Sequence, residues 1–151
     1  MSKVEPIPQG YHSITPALAI RGAAEALDFY ARAFGAEETF RMPGPDGTVA
    51  HAEMRIGDSA FMLGEECPDR GATAPATIGG SPVSLHLYVR DVDASFARAT
   101  GAGCKAELPP TDMFWGDRYA KLTDPFGHKW SIGTHTEDVS PEEMKRRMAA
   151  M

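Results

Sequence analysis

His51, Glu53 and Arg55 alternate along the run Val49 to Ile56, so a strand there carries an imidazole, a carboxylate and a guanidinium on one face. Ala52, Met54 and Ile56 are left for the other face, to pack against helices. Ser84 and His86 share the same two-residue spacing in a second apolar run, as do Tyr119 and Lys121 in a third. Phe114, Trp115 and Tyr119 gather aromatic rings just ahead of the last hairpin. Such a set can anchor a small molecule: His51 or His86 exchanges a proton near neutral pH, and the rings offer a planar ligand a stacking surface. His51, Glu53 and His86 are also two imidazoles and one carboxylate, a known catalytic metal set, provided that two distant strands converge. The plainer alternative stands beside these: Glu53 pairs with Arg55 or Lys121, each histidine satisfies a buried hydrogen bond, and the rings are core or dimer packing. His128 reads as a surface or packing residue, and His12 and His135, at strand ends, as solvent-exposed. No Gly-rich phosphate loop, nucleophile elbow or paired-Cys redox motif is present.

The elements that must position these residues come in two copies. Ile14 to Gly64 and Val83 to Gly133 echo each other at a constant offset of 69 residues, as Ile20 with Val89 and Gly64 with Gly133 show. Repetition at a fixed period implies one supersecondary unit stacked on a second copy, with a cleft between them where function is expected. The first copy reads as a strand over Ser13 to Ile20, a helix over Gly22 to Phe34, and three strands over Thr39 to Met42, Val49 to Ile56 and Ser59 to Leu63. Leu27, Tyr30, Ala31 and Phe34 give that helix one apolar face, and Gly35 suits its C-terminal cap. The second copy repeats the order: a strand over Val83 to Val89, a helix over Val92 to Thr100 capped by Asp91, and strands over Lys105 to Leu108, Arg118 to Thr123 and His128 to Gly133. This divides the chain into a first module at 12–64, a linker at 65–82, a second module at 83–134 and a tail at 135–151, one structural domain overall. Ser140-Pro141-Glu142-Glu143 predicts a short capped helix in the tail, to about Met148.

Composition narrows the function. A chain of 151 residues, 42% hydrophobic and 24% charged, supports an ordinary core. A net charge of −6 disfavours nucleic acid and anionic membrane, which reward clustered Lys and Arg. No run approaches the roughly 20 apolar residues of a membrane span, and no apolar signal core precedes Gly10, so a cytoplasmic protein is expected. Cys67 and Cys104 are too few for a disulfide framework and lack zinc spacing.

Leu27-Asp28-Phe29-Tyr30 with Phe34-Gly35, Leu87-Tyr88-Val89-Arg90-Asp91-Val92, and Asp124-Pro125-Phe126-Gly127-His128 together resemble the vicinal-oxygen-chelate superfamily. That superfamily includes glyoxalase I, bleomycin-resistance proteins, fosfomycin-resistance enzymes and extradiol dioxygenases. Ala50 to Gly57 and Phe114 to Tyr119 further resemble its PhnB-like branch. The resemblance implies an α+β fold, two βαβββ modules forming a curved mixed-sheet cup, and a homodimer. It also implies four metal-ligand positions, which fall here at Thr15, Met62, Ser84 and Ser131. None is a good ligand, since Zn²⁺, Ni²⁺ and Fe²⁺ take imidazole, carboxylate or thiolate in preference to hydroxyl or thioether.

With Met62 and Ser131 facing the cup, strand alternation directs His51, Glu53, Arg55, Ser84, His86, Tyr119 and Lys121 inward too, and Trp115 to the mouth. A one-residue slip at the last hairpin turns Tyr119 and Lys121 outward. The expectation is a binder of a small molecule with no cofactor and no metal. Its rival is a lyase, isomerase or dioxygenase of the same superfamily working through a relocated metal or through acid/base groups. A third reading has the cup filled by its own side chains.

Overall fold

Strand β1, Ala17–Ile20, leads into helix α1, Ala23–Phe34, and then into β2, Glu37–Pro43, β3, Val49–Ile56, and β4, Ser59–Glu65. The computed structural model describes residues 3–151. The four strands form one sheet in the order β1-β4-β3-β2, with β1 parallel to β4 and the other pairs antiparallel. β1 begins at Ala17, later than the Ser13 expected. Pro16 has no N–H to give a ladder, and only its carbonyl joins in, accepting the Met62 N–H at 2.8 Å. Thr15 therefore precedes the strand.

Helix α1 closes one face of this sheet. Ala26, Leu27, Phe29, Tyr30 and Ala33 are buried, and the Tyr30 ring meets Phe61 of β4 edge to face with centroids 5.8 Å apart. Ala52, Met54, Phe61 and Leu63 are buried on the same side. His51, Glu53, Arg55 and Met62, one residue out of phase, lie on the opposite, open face.

The stretch at 65–82, expected as a plain linker, is tied down. It carries a bridge between Cys67 and Ala72 and one helical turn, α2, at Pro75–Ile78. The Glu66 carboxylate accepts from the Ala74 N–H at 2.9 Å, from the Thr77 hydroxyl at 2.7 Å and from Arg21 at 3.2 Å.

The second unit repeats the order. β5 is Ser84–Tyr88, α3 Val92–Ala102, β6 Lys105–Asp112, β7 Asp117–Thr123, β8 Lys129–His135, and the tail forms α4, Pro141–Ala149. Its sheet runs β5-β8-β7-β6, with β5 parallel to β8. The register repeats at the same offset, Ala17 opposite Met62 and His86 opposite Ser131. β6 continues through Pro109 and Pro110, past the Leu108 expected from the sequence. It is an edge strand, so two missing N–H groups cost the ladder little, and the register shifts between Leu108 and Thr111.

Lys121 pairs with Ser131 and Tyr119 with Gly133, so the hairpin keeps the register that turns both side chains to the open face. The buried Asp124 enforces it. One carboxylate oxygen accepts the N–H groups of Phe126 and His128, and the other accepts the indole N–H of Trp130 at 2.9 Å. The two compact units are Met1–Gly80 and Ser81–Met151. Among the described residues no helix is long and apolar enough to cross a membrane.

Candidate functional site

In the first unit, Glu53 stands directly opposite Met62 on the open face, with Phe40 on its other side and Met42 beside His51. The Glu53 carboxylate faces His51 Nε2 at 3.3 Å through Oε2 and accepts the Tyr11 hydroxyl through Oε1. The Arg55 guanidinium fills the space beside Gly10, where a Cβ would stand 2.5 Å from it. Glu53 thus bonds to the N-terminal segment and faces its own neighbour His51 rather than Arg55.

In the second unit, Ser84, His86, Tyr119, Lys121 and Ser131 share the open face, as the strand alternation requires. His86 Nδ1 lies 2.7 Å from the Ser131 hydroxyl. Its ring stacks on Tyr119 at 5.8 Å and meets Tyr88 edge to face at 4.6 Å. Desolvation pushes the His86 pKa below the ordinary histidine value against the opposing pull of Asp117, so protonation of the ring is disfavoured. Gly133 makes room for it: a Cβ there would stand 3.2 Å from the imidazole carbon. Trp115, in the turn before β7, reaches back over Tyr119 with centroids 5.4 Å apart. Lys121 and Ser84 are exposed.

The residue that organises this face is Asp117, which the sequence reading missed. It is 3% exposed, and its carboxylate accepts the Tyr88 hydroxyl at 3.0 Å and the Trp115 indole N–H at 3.1 Å. Its other oxygen meets His135 Nδ1 at 2.7 Å, and His135 Nε2 in turn meets Asp138 at 2.8 Å. Burial alone would raise the Asp117 pKa, but His135, Tyr88 and Trp115 outweigh it and hold the carboxyl below its usual range. Asp138 first and then Asp117 raise His135, while the bond to Asp117 raises the Tyr88 phenol. His135 was expected to be merely solvent-exposed; it is half-exposed and ion-paired on both sides. Its partner Asp138 follows in the sequence, but Asp117 becomes its neighbour only through the β7–β8 pairing.

The four positions where the resemblance puts metal ligands offer three hydroxyls and one thioether, and the Ser131 hydroxyl is buried against His86. That donor set does not fit a transition metal. Among the described residues no three His, Cys, Asp or Glu side chains are grouped to hold one elsewhere.

The family model for the glyoxalase/bleomycin resistance protein/dioxygenase superfamily matches residues 12–132. An uncharacterized protein of Mycobacterium bovis is 42% identical over 141 residues, covering 91% of this chain and 93% of its own length. Among solved structures, TioX from Micromonospora sp. ML1 is 28% identical with a TM-score of 0.65, covering 82% of this chain and 98% of that one. A PhnB protein from Bacillus cereus shares the fold at 19% identity and a TM-score of 0.62, over 82% of this chain and 99% of its own. Two βαβββ units and a match across most of the sequence agree: the chain belongs to the glyoxalase/bleomycin resistance protein/dioxygenase superfamily.

Proposed function

We propose that this protein binds a small planar molecule, without a metal, on the open sheet face of its second unit. The observation that carries the reading is an exposed aromatic held rigid: Tyr88 is 63% exposed, yet its hydroxyl is fixed on the buried Asp117. Trp115 is fixed on the same carboxylate, and His86 and Tyr119 continue the group. Rings left in contact with water but already ordered lose little side-chain entropy when a planar ligand stacks on them. The exposed Lys121 gives the face a cation, which favours a ligand bearing an acidic group.

A second reading rests on His86. A neutral imidazole held through Nδ1 suits a general base, and a lyase or isomerase that moves a proton without a metal would use it so.

Titration of the full-length protein with planar aromatic acids, followed by fluorescence of the tryptophans, tests the proposal. His86→Ala and Trp115→Ala should each weaken binding by about 1–3 kcal/mol with only a modest change in melting temperature. Affinity left intact in both variants would overturn it, and a large loss of melting temperature without loss of affinity would make these residues core. Turnover of a bound compound, abolished in His86→Ala, would favour the second reading.

A further inference from the structure

The first unit carries a hydroxyl already bound at a carboxylate. We propose that Glu53, backed by His51, is a recognition site for aromatic hydroxyl compounds, and that Tyr11 of the same chain occupies it as an internal stand-in for a phenolic ligand. This does not depend on the site proposed for the second unit.

Three observations carry it. First, the Tyr11 phenol donates to Glu53 Oε1 while His51 Nε2 sits 3.3 Å from the other oxygen, so the carboxylate is already aimed to receive an aromatic hydroxyl. Second, the walls suit an aromatic ring. Phe40 and Met42, 48% and 49% exposed, stand beside Glu53 and His51 on the same face, and the Phe40 ring lies 6.1 Å from the His51 ring. Third, the arm that brings Tyr11 is lightly held. Residues 3–16 form neither helix nor strand, and Val4 and Ile14 are nearly fully exposed, so little apolar burial opposes its release. Gly10, with φ +86°, turns the chain immediately before Tyr11, and the Tyr11 N–H closes that turn on the Pro8 carbonyl at 3.1 Å.

A phenolic ligand would exchange one hydroxyl on Glu53 for another. The exchange is close to neutral in hydrogen bonding, and Tyr11 lowers the apparent affinity by the fraction of time it holds the site.

The test uses the full chain and two matched probes, phenol and its methyl ether anisole, titrated by NMR. Phenol should bind in preference to anisole, and Tyr11→Phe, which removes only the competing hydroxyl, should tighten phenol binding by about tenfold. Tyr11→Ala should tighten both probes by clearing the walls. Glu53→Leu should abolish the preference for phenol, and the same preference is read in His86→Ala and Trp115→Ala. Phenol bound no tighter in either Tyr11 variant would overturn the proposal, whether or not Glu53→Leu folds. So would phenol binding that follows His86 and Trp115 instead, a result that would assign the hydroxyl to the second unit.

Discussion

Glu65 and Thr134, 69 residues apart, do the same work with different chemistry. Each follows the core of its unit's last strand and caps the N-terminus of its unit's helix. The Glu65 carboxylate accepts the N–H groups of Gly22 at 3.0 Å and Ala23 at 3.1 Å. The Thr134 hydroxyl accepts the Val92 N–H at 2.9 Å and donates to the Val89 carbonyl at 2.9 Å. Neither cap is local in sequence, because in both units the helix follows the first strand while the cap comes from the last.

Loss of Glu65 should therefore loosen α1, whose own cap position, Gly22, has no side chain to offer. Glu65→Ala is expected to cost about 1–2 kcal/mol, read as a lower urea midpoint at unchanged slope. An unchanged midpoint would show that water satisfies both N–H groups.

Asp117→Ala should disorder the aromatic group rather than the fold. It strands the donors of Tyr88, Trp115 and His135, of which the exposed ones rehydrate, so about 1–3 kcal/mol is expected. Tryptophan fluorescence should shift as the Trp115 ring loses its fixed position. An unchanged spectrum would mean that packing on Tyr119 alone holds Trp115.

The ion pair between Asp117 and His135 should give stability a two-sided pH dependence. His135 is raised in the folded state, so its contribution is fully present below the ordinary histidine value of about 6.5 and is lost as pH rises through its raised value. Asp117 is held low, so its contribution is present above about 3.9 and is lost as pH falls through its depressed value. The melting-temperature difference between the protein and His135→Gln should be largest between those two ordinary values and shrink on both sides. A difference independent of pH would show that the pair contributes only packing.

His86 should titrate below the ordinary histidine value, and Gly133→Ala should bring it back up. The added methyl would press on the imidazole, move it off Ser131 and toward solvent, and so relieve the burial that lowers its pKa. NMR of the labelled imidazole reads both effects, and an unmoved titration in the variant would place the ring elsewhere.

Thr15, Met62, Ser84 and Ser131 should hold no transition metal. Metal analysis after expression in medium supplemented with nickel and zinc is expected to find none in stoichiometric amount. Metal that survives joint alanine substitution of His51, Glu53 and His86 would overturn the assignment of those four positions.

Much of the fold was legible because the signals are local. The bounds of β3 and the apolar stripe of α1 follow from alternation and helical period, and the caps at Asp91 and Ser140 accept the N–H groups of Ala94 and Glu143 as their spacing predicts. The edges were less so. The pause before Ala17 and the run of β6 through Pro109 and Pro110 depend on which backbone groups face a neighbouring strand, and sequence does not say which strand lies at an edge.

The candidate residues divide the same way. Alternation alone put His51, Glu53 and Arg55 on one face, since a strand's side chains must alternate. The partners of those groups belong to the tertiary structure. Tyr11 reaches Glu53 across 42 residues, Tyr88 reaches Asp117 across 29, and His86 reaches Ser131 across 45. A hydrogen bond forms wherever folding brings donor and acceptor within reach, so these contacts leave no periodic trace in the chain. What the residue types determined was the chemistry available on each face; strand pairing decided which groups meet there.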